Sequence, residues 1–92
     1  LVDWELARPG RIVEDAGSLL AHAVLRDLRD GGSPRLVLRV IDGLAGQVPP
    51  DALLDLGRID LLRQRDREAG IGDDERVRER DRALVLLRSV AR

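Results

Sequence analysis

Apolar positions recur at helical spacing along most of the chain. Ala16, Leu19, Leu20, Ala23, Val24 and Leu28 follow the i, i+3, i+4, i+7 rhythm of one buried helix face. The run begins at Asp15 and stops at Asp30-Gly31-Gly32, where glycine accepts the left-handed conformation that ends helices. Ala16, Gly17 and Ser18 are small enough to let a second backbone approach closely. Ser33-Pro34 reads as a cap followed by proline in the first turn, opening a helix to about Ala45 with Leu36, Val37, Val40, Ile41 and Leu44 inward. Gly46-Gln47-Val48-Pro49-Pro50 breaks it. Asp51 is a candidate cap for a third helix, whose Leu53, Leu54, Leu56, Ile59, Leu61 and Leu62 are spread so widely that it is expected to lie sandwiched among the others. Gly70-Ile71-Gly72 is the next break. Asp73 or Asp74 then caps a last helix with Val77, Leu84, Leu87 and Val90 on its seam.

Ahead of this helical region stands a different kind of segment. Leu1-Val2-Asp3-Trp4 has the look of a short buried strand end, and Ala7-Arg8-Pro9-Gly10-Arg11 that of a turn. The expected fold is therefore mainly α, with a short N-terminal strand followed by about four helices. Residues 1–15 form one functional segment and 15–92 the helical region.

Composition narrows the function classes. Charged residues make up 36% of the 92 positions and hydrophobic ones 43%, which suits a folded domain rather than a disordered tail. No apolar run approaches the roughly 20 residues of a membrane span, so no membrane association is expected and the location is taken as cytoplasmic. Cysteine is absent, which removes disulfides and thiolate chemistry. All sixteen basic residues are Arg, and Lys, Asn, Thr, Met, Phe and Tyr are missing, a bias expected of a GC-rich coding sequence. The sixteen Arg are balanced by seventeen acids and interleaved with them, above all in Arg63–Glu68 and Asp73–Arg82. Such runs are expected to form i,i+4 ion pairs on solvated helix faces. With no basic excess and no stacking aromatics among them, nucleic acid is not an expected partner.

The chemistry-bearing residues gather at the start. The triple Asp3-Trp4-Glu5 is not distinctive alone, since two more D-x-E triples occur (Asp66–Glu68 and Asp73–Glu75) where chance gives about 0.7. Its setting is. An apolar pair precedes it, Gly10 follows Asp3 by seven positions and Asp15 by twelve, and a small-residue helix start completes the set. His22 stands alone, without a neighbouring ligand at metal spacing. Ser18, Ser33 and Ser89 lack a partner base, so neither residue type suggests nucleophilic catalysis.

That ordered set resembles the corresponding segment of the aminoglycoside phosphotransferase and choline kinase superfamily, small-molecule kinases with a protein-kinase-like fold. The family pattern is two apolar residues, D-[WF]-[ED], a turn ending in G-D-P, then x-x-D-L-A opening a helix. Arg11 and Ile12 stand where the family has D-P, and Ala16-Gly17 where it has L-A. The motif-bearing likeness covers about residues 1–29, and the remaining helices would be part of the C-lobe. The resemblance implies that Asp3 is a metal ligand bridging Mg²⁺ to the phosphates of ATP, with Glu5 a weaker candidate ligand. It implies that Asp15, supported by the turn at Gly10, accepts backbone N–H groups and holds the catalytic loop; a simple helix cap is the alternative. Trp4 is a packing residue. Asp27, Asp30 and Asp42 are conceivable contacts for a cationic acceptor. The nucleotide-binding lobe and the H-x-D-x-x-x-x-N catalytic loop would lie upstream of Leu1, so the chain is expected to be a C-terminal fragment, inactive alone, of an ATP-dependent phosphotransferase acting on a small-molecule hydroxyl. A non-catalytic helical interaction module is the other expectation, and would leave the Asp3–Asp15 register a coincidence.

Overall fold

The computed structural model describes residues 9–91 and consists there of four helices: α1 (Pro9–Arg29), α2 (Arg35–Leu44), α3 (Pro50–Ile71) and α4 (Asp74–Val90). Among the described residues there is no strand; the strand expected at residues 1–4 lies outside them. No described helix is long and apolar enough to cross a membrane.

The first helix starts earlier than its periodicity predicts. Pro9, Gly10 and Arg11, expected in a turn, belong to α1. Proline suits the first helical position because its φ is already helical and its missing N–H would have had no partner there. A glycine next to it costs only about 1 kcal/mol relative to alanine and does not stop the helix. Asp15 consequently lies in the second turn of α1 and is not its cap.

The core is built on α1 and α3, each of which meets all three other helices, whereas α2 does not reach α4. The expected place of α3 among the others is seen, and α1 shares it. Ala16, Leu20, Ala21, Ala23, Val24 and Leu25 are all buried, a wider band than the predicted stripe. By contrast Leu19 on α1 and Ile59 and Leu62 on α3 are exposed. Alanines make the difference. They score weakly as hydrophobic in a pattern, yet they let three neighbours close around one helix.

The closest approach is between α1 and α3, and glycine makes it possible on both sides. A Cβ on Gly57 would stand 2.7 Å from Cδ2 of Leu20, and one on Gly17 would stand 3.0 Å from the carbonyl oxygen of Leu56. The small-residue start of α1 thus does what its composition predicts. Leu20, Leu53, Leu61, Val24 and Val37 are the largest fully enclosed side chains. Each contributes about 1.5–3 kcal/mol by leaving water.

The helix ends follow several different rules. α3 stops at Gly72, whose φ of +88° is left-handed; its N–H reaches Ala69 O at 3.1 Å and the N–H of Asp73 reaches Glu68 O at 3.0 Å. These two bonds define a Schellman closure. Gly70 and Ile71 remain inside the helix. Asp73 caps α4 as expected, its Oδ1 accepting from Arg76 N–H at 3.1 Å. Two other expected caps are not made. Pro34 and Pro49 occupy the cap positions of α2 and α3 without side-chain hydrogen bonds, and neither Ser33 nor Asp51 takes that role. For α2 the function passes to Asp27 of α1, whose buried carboxylate accepts the N–H of Leu36 on Oδ1 and of Val37 on Oδ2, both at 3.0 Å. α4 carries its expected seam at Leu87, but its most buried position is Ala83.

Gly57→Ala is expected to destabilise the bundle by about 1–3 kcal/mol, since the enclosed Leu20 has nowhere to move. Gly43→Ala, in α2 with open space around it, is expected to stabilise by about 0.5–1 kcal/mol. Urea unfolding of the two variants beside the parent chain checks both signs.

Candidate functional site

Of the residues singled out from the sequence, Asp3, Trp4 and Glu5 lie outside the described residues. Gly10 and Asp15 are both on α1, with Gly10 the second residue of the helix. Asp15 is exposed, and immediately after it the helix dives into the core at Ala16 and Gly17. The Asp15 side chain stays on the solvent side of this helix. It stands at the mouth of a cleft of about 450 Å³ between α1 and α3, together with Ser18, Leu56, Ile59, Asp60 and Arg63. Asp60 is engaged there, accepting from Gln64 Nε2 at 2.7 Å. The cleft lies beside the point where the helices touch at Gly17 and Leu56.

What this cleft offers is two carboxylates, one of them engaged by Gln64, a guanidinium and a hydroxyl around two apolar side chains. It lacks a paired nucleophile and base. Ser18 and the exposed His22 sit one turn apart on α1 and are not hydrogen-bonded to each other. Among the described residues no group of three or more His, Cys, Asp or Glu side chains is placed to hold a metal ion. The acids considered for a cationic acceptor have separate fates. Asp27 is buried and occupied by α2, Asp30 pairs with Arg26 at 3.2 Å on the surface, and Asp42 is exposed on α2.

The charged runs form a second polar assembly, and its form differs from the expected i,i+4 ladder. Most of its pairs join different helices. Arg65 Nε reaches Asp81 Oδ1 at 2.5 Å, Arg80 Nε donates to Gln64 Oε1 at 3.2 Å, and Arg76 lies 3.6 Å from Glu68. Arg80 also pairs with Glu79, which in turn lies 3.5 Å from Arg29 of α1. One sequence signal does predict this arrangement. A sharp turn at Gly72 folds α3 and α4 into an antiparallel hairpin, so residues equally far on either side of it meet. Glu68 and Arg76 each lie four positions from Gly72, and Gln64 and Arg80 each eight. Gln64, the uncharged member of Arg63–Glu68, is the residue that bridges Asp60 and Arg80.

Comparison of the chain with protein-family models, with curated proteins and with solved structures finds no match in any of the three.

Asp15→Ala in the 92-residue chain is expected to change the unfolding free energy by less than about 0.5 kcal/mol, as for an exposed surface position. For the half-exposed pair Arg65 and Asp81, a double-mutant cycle is expected to give a coupling of about 0.2–1 kcal/mol that shrinks as salt is raised.

Proposed function

We propose that this chain is the C-terminal part of an ATP-dependent phosphotransferase acting on a small-molecule hydroxyl group. The observation that carries the proposal is the register Asp3-Trp4-Glu5, Gly10, Asp15, followed directly by the helix on which the rest of the bundle is built. Two features of the fold support it. All described structure is helical, as a C-lobe segment would be. Asp15 is exposed, on the helix that follows the motif residues in sequence.

The roles follow from the chemistry of the side chains. Asp3 and Glu5 supply hard carboxylate oxygens, the donor type that Mg²⁺ takes. Bound by them, Mg²⁺ provides the charge neutralisation that in-line phosphoryl transfer between ATP and the acceptor requires. Asp15 accepts backbone N–H groups from the catalytic loop and keeps that loop in shape, a positioning role. Gly10 lies in the first turn of the helix that carries Asp15. The catalytic loop, whose Asp accepts the proton of the acceptor's hydroxyl, belongs to the part of the enzyme upstream of Leu1.

A second reading, a non-catalytic helical interaction module, is favoured by one observation. The four helices share a single core extending from Ala16 to Leu87, and no buried side-chain polar atom among the described residues lacks a partner. A cooperative urea transition for the 92-residue chain, with no binding of an apolar-surface dye beforehand, would favour that module over a truncated lobe.

The proposal is tested at the reading frame. An H-x-D-x-x-x-x-N sequence is expected in frame about 10–30 residues before Leu1, and a start codon immediately upstream would defeat the proposal. In the product of the whole frame, Asp3→Asn is expected to reduce kcat by about 10²-fold or more with the circular dichroism spectrum unchanged. Full activity of that variant would remove Asp3 from the site.

A further inference from the structure

The second helix is the least anchored element of the bundle. With ten residues, α2 is shorter than the roughly 12–15 at which an isolated helix becomes even marginally stable. It has no acid in its first turn, no base in its last, and no side-chain cap from its own segment. Its closing bond, from Ala45 N–H to Asp42 O, is long at 3.4 Å. One of its side chains, Val37, is fully buried, while Leu36, Val40, Ile41 and Leu44 are half-buried and Leu38 is exposed. It rests on α1, touches α3 only marginally and does not reach α4.

Its two flanks differ, and the first is built for rotation. On one side Gly31 and Gly32 have φ of +111° and +82°, with open space around both. On the other, exposed Ala45, Gly46 and Gln47 form a turn in which the N–H groups of Gln47 and Val48 reach Leu44 O at 2.9 and 2.8 Å, and buried Val48 pins the chain before α3 begins. Residues 33–47 are thus a segment with a glycine hinge at its N-terminal end and a short turn into anchored chain at the other. What holds it shut at its N-terminus comes from another helix, the Asp27 carboxylate on the N–H groups of Leu36 and Val37.

We infer that α2 is a latched flap, a unit that opens on its own from the α1–α3–α4 body, with Asp27 as the latch. Opening withdraws Val37 from the core and uncovers the side of α1 next to Asp27, including Ala23 and Val24 one turn back. The three-helix body keeps its own contacts throughout, because the α1–α3 crossing and the α3–α4 hairpin do not pass through α2. This inference is independent of the phosphotransferase proposal.

Native-state hydrogen exchange on the 92-residue chain tests it, read amide by amide at low urea concentrations. The amides of Val40, Ile41 and Leu44 are expected to exchange at least about tenfold faster than those of Val24 and Leu61, through an opening nearly insensitive to urea. Asp27→Asn retains one acceptor oxygen and loses the other. It is expected to accelerate the α2 amides about tenfold, the equivalent of one charge-assisted hydrogen bond, and those of Val24 and Leu61 less than about threefold. A single urea dependence shared by all five amides in the parent chain would overturn the inference, and so would equal acceleration of all five in the variant. If Asp27→Asn does not fold, the comparison within the parent chain decides alone.

Discussion

The crossing of α1 over α3 is the constraint on which the other contacts depend. Leu20 sits where Gly57 has no side chain, and the backbone of Leu56 sits where Gly17 has none. Bringing two helix backbones this close encloses Leu20 completely and aligns Leu53 and Leu61 with the same core. Close packing of this kind leaves little tolerance for added volume. Once α1 and α3 are fixed, the remaining placements follow from short connections. Gly72 turns α4 back along α3, and Asp27, displayed by α1 just beyond the crossing, sets where α2 begins.

Asp27 shows how a helix with poor local signals is positioned by its neighbours. Proline at the cap position of α2 offers no side-chain acceptor, so its first amides need one from elsewhere. A buried carboxylate that accepts two backbone N–H bonds meets the need and satisfies its own desolvated oxygens together. The arrangement explains why an acid is tolerated at 3% exposure. It also removes Asp27 from the set of acids able to meet a ligand. Side chains that looked interchangeable in the sequence, Asp27, Asp30 and Asp42, are separated by structure into a cap, a surface ion pair and an exposed residue.

The four helices and their breaks were legible because glycine and proline punctuate the chain and because leucine and valine recur at helical spacing. Three things were not. The start of α1 was hidden by Pro9-Gly10, a pair that marks a turn in one context and a first helical turn in another. The breadth of the buried face of α1 was hidden by its alanines, whose small volume matters more to packing than their hydrophobicity. The partners of Arg65, Arg76 and Arg80 were hidden because helical spacing describes neighbours on one helix, while these pairs join two. The hairpin at Gly72 supplies the missing relation, since it makes distance from the turn the coordinate that decides which charges meet.

The candidate site was legible only as a motif, and physics explains why the fold adds little to it. A metal-binding carboxylate pair is specified by spacing over a few residues, whereas the bundle is specified by patterning over the other eighty. The two descriptions meet on α1. Its Ala16, Leu20, Ala23 and Val24 side belongs to the core, while Asp15, one residue before Ala16, faces the cleft and solvent. An exposed acceptor on a helix that is itself held in the core is suited to hold a separate segment of backbone, because the helix fixes its place. The same geometry in a stand-alone module would leave Asp15 an ordinary surface acid, so the meaning of that residue depends on what precedes Leu1 rather than on the bundle.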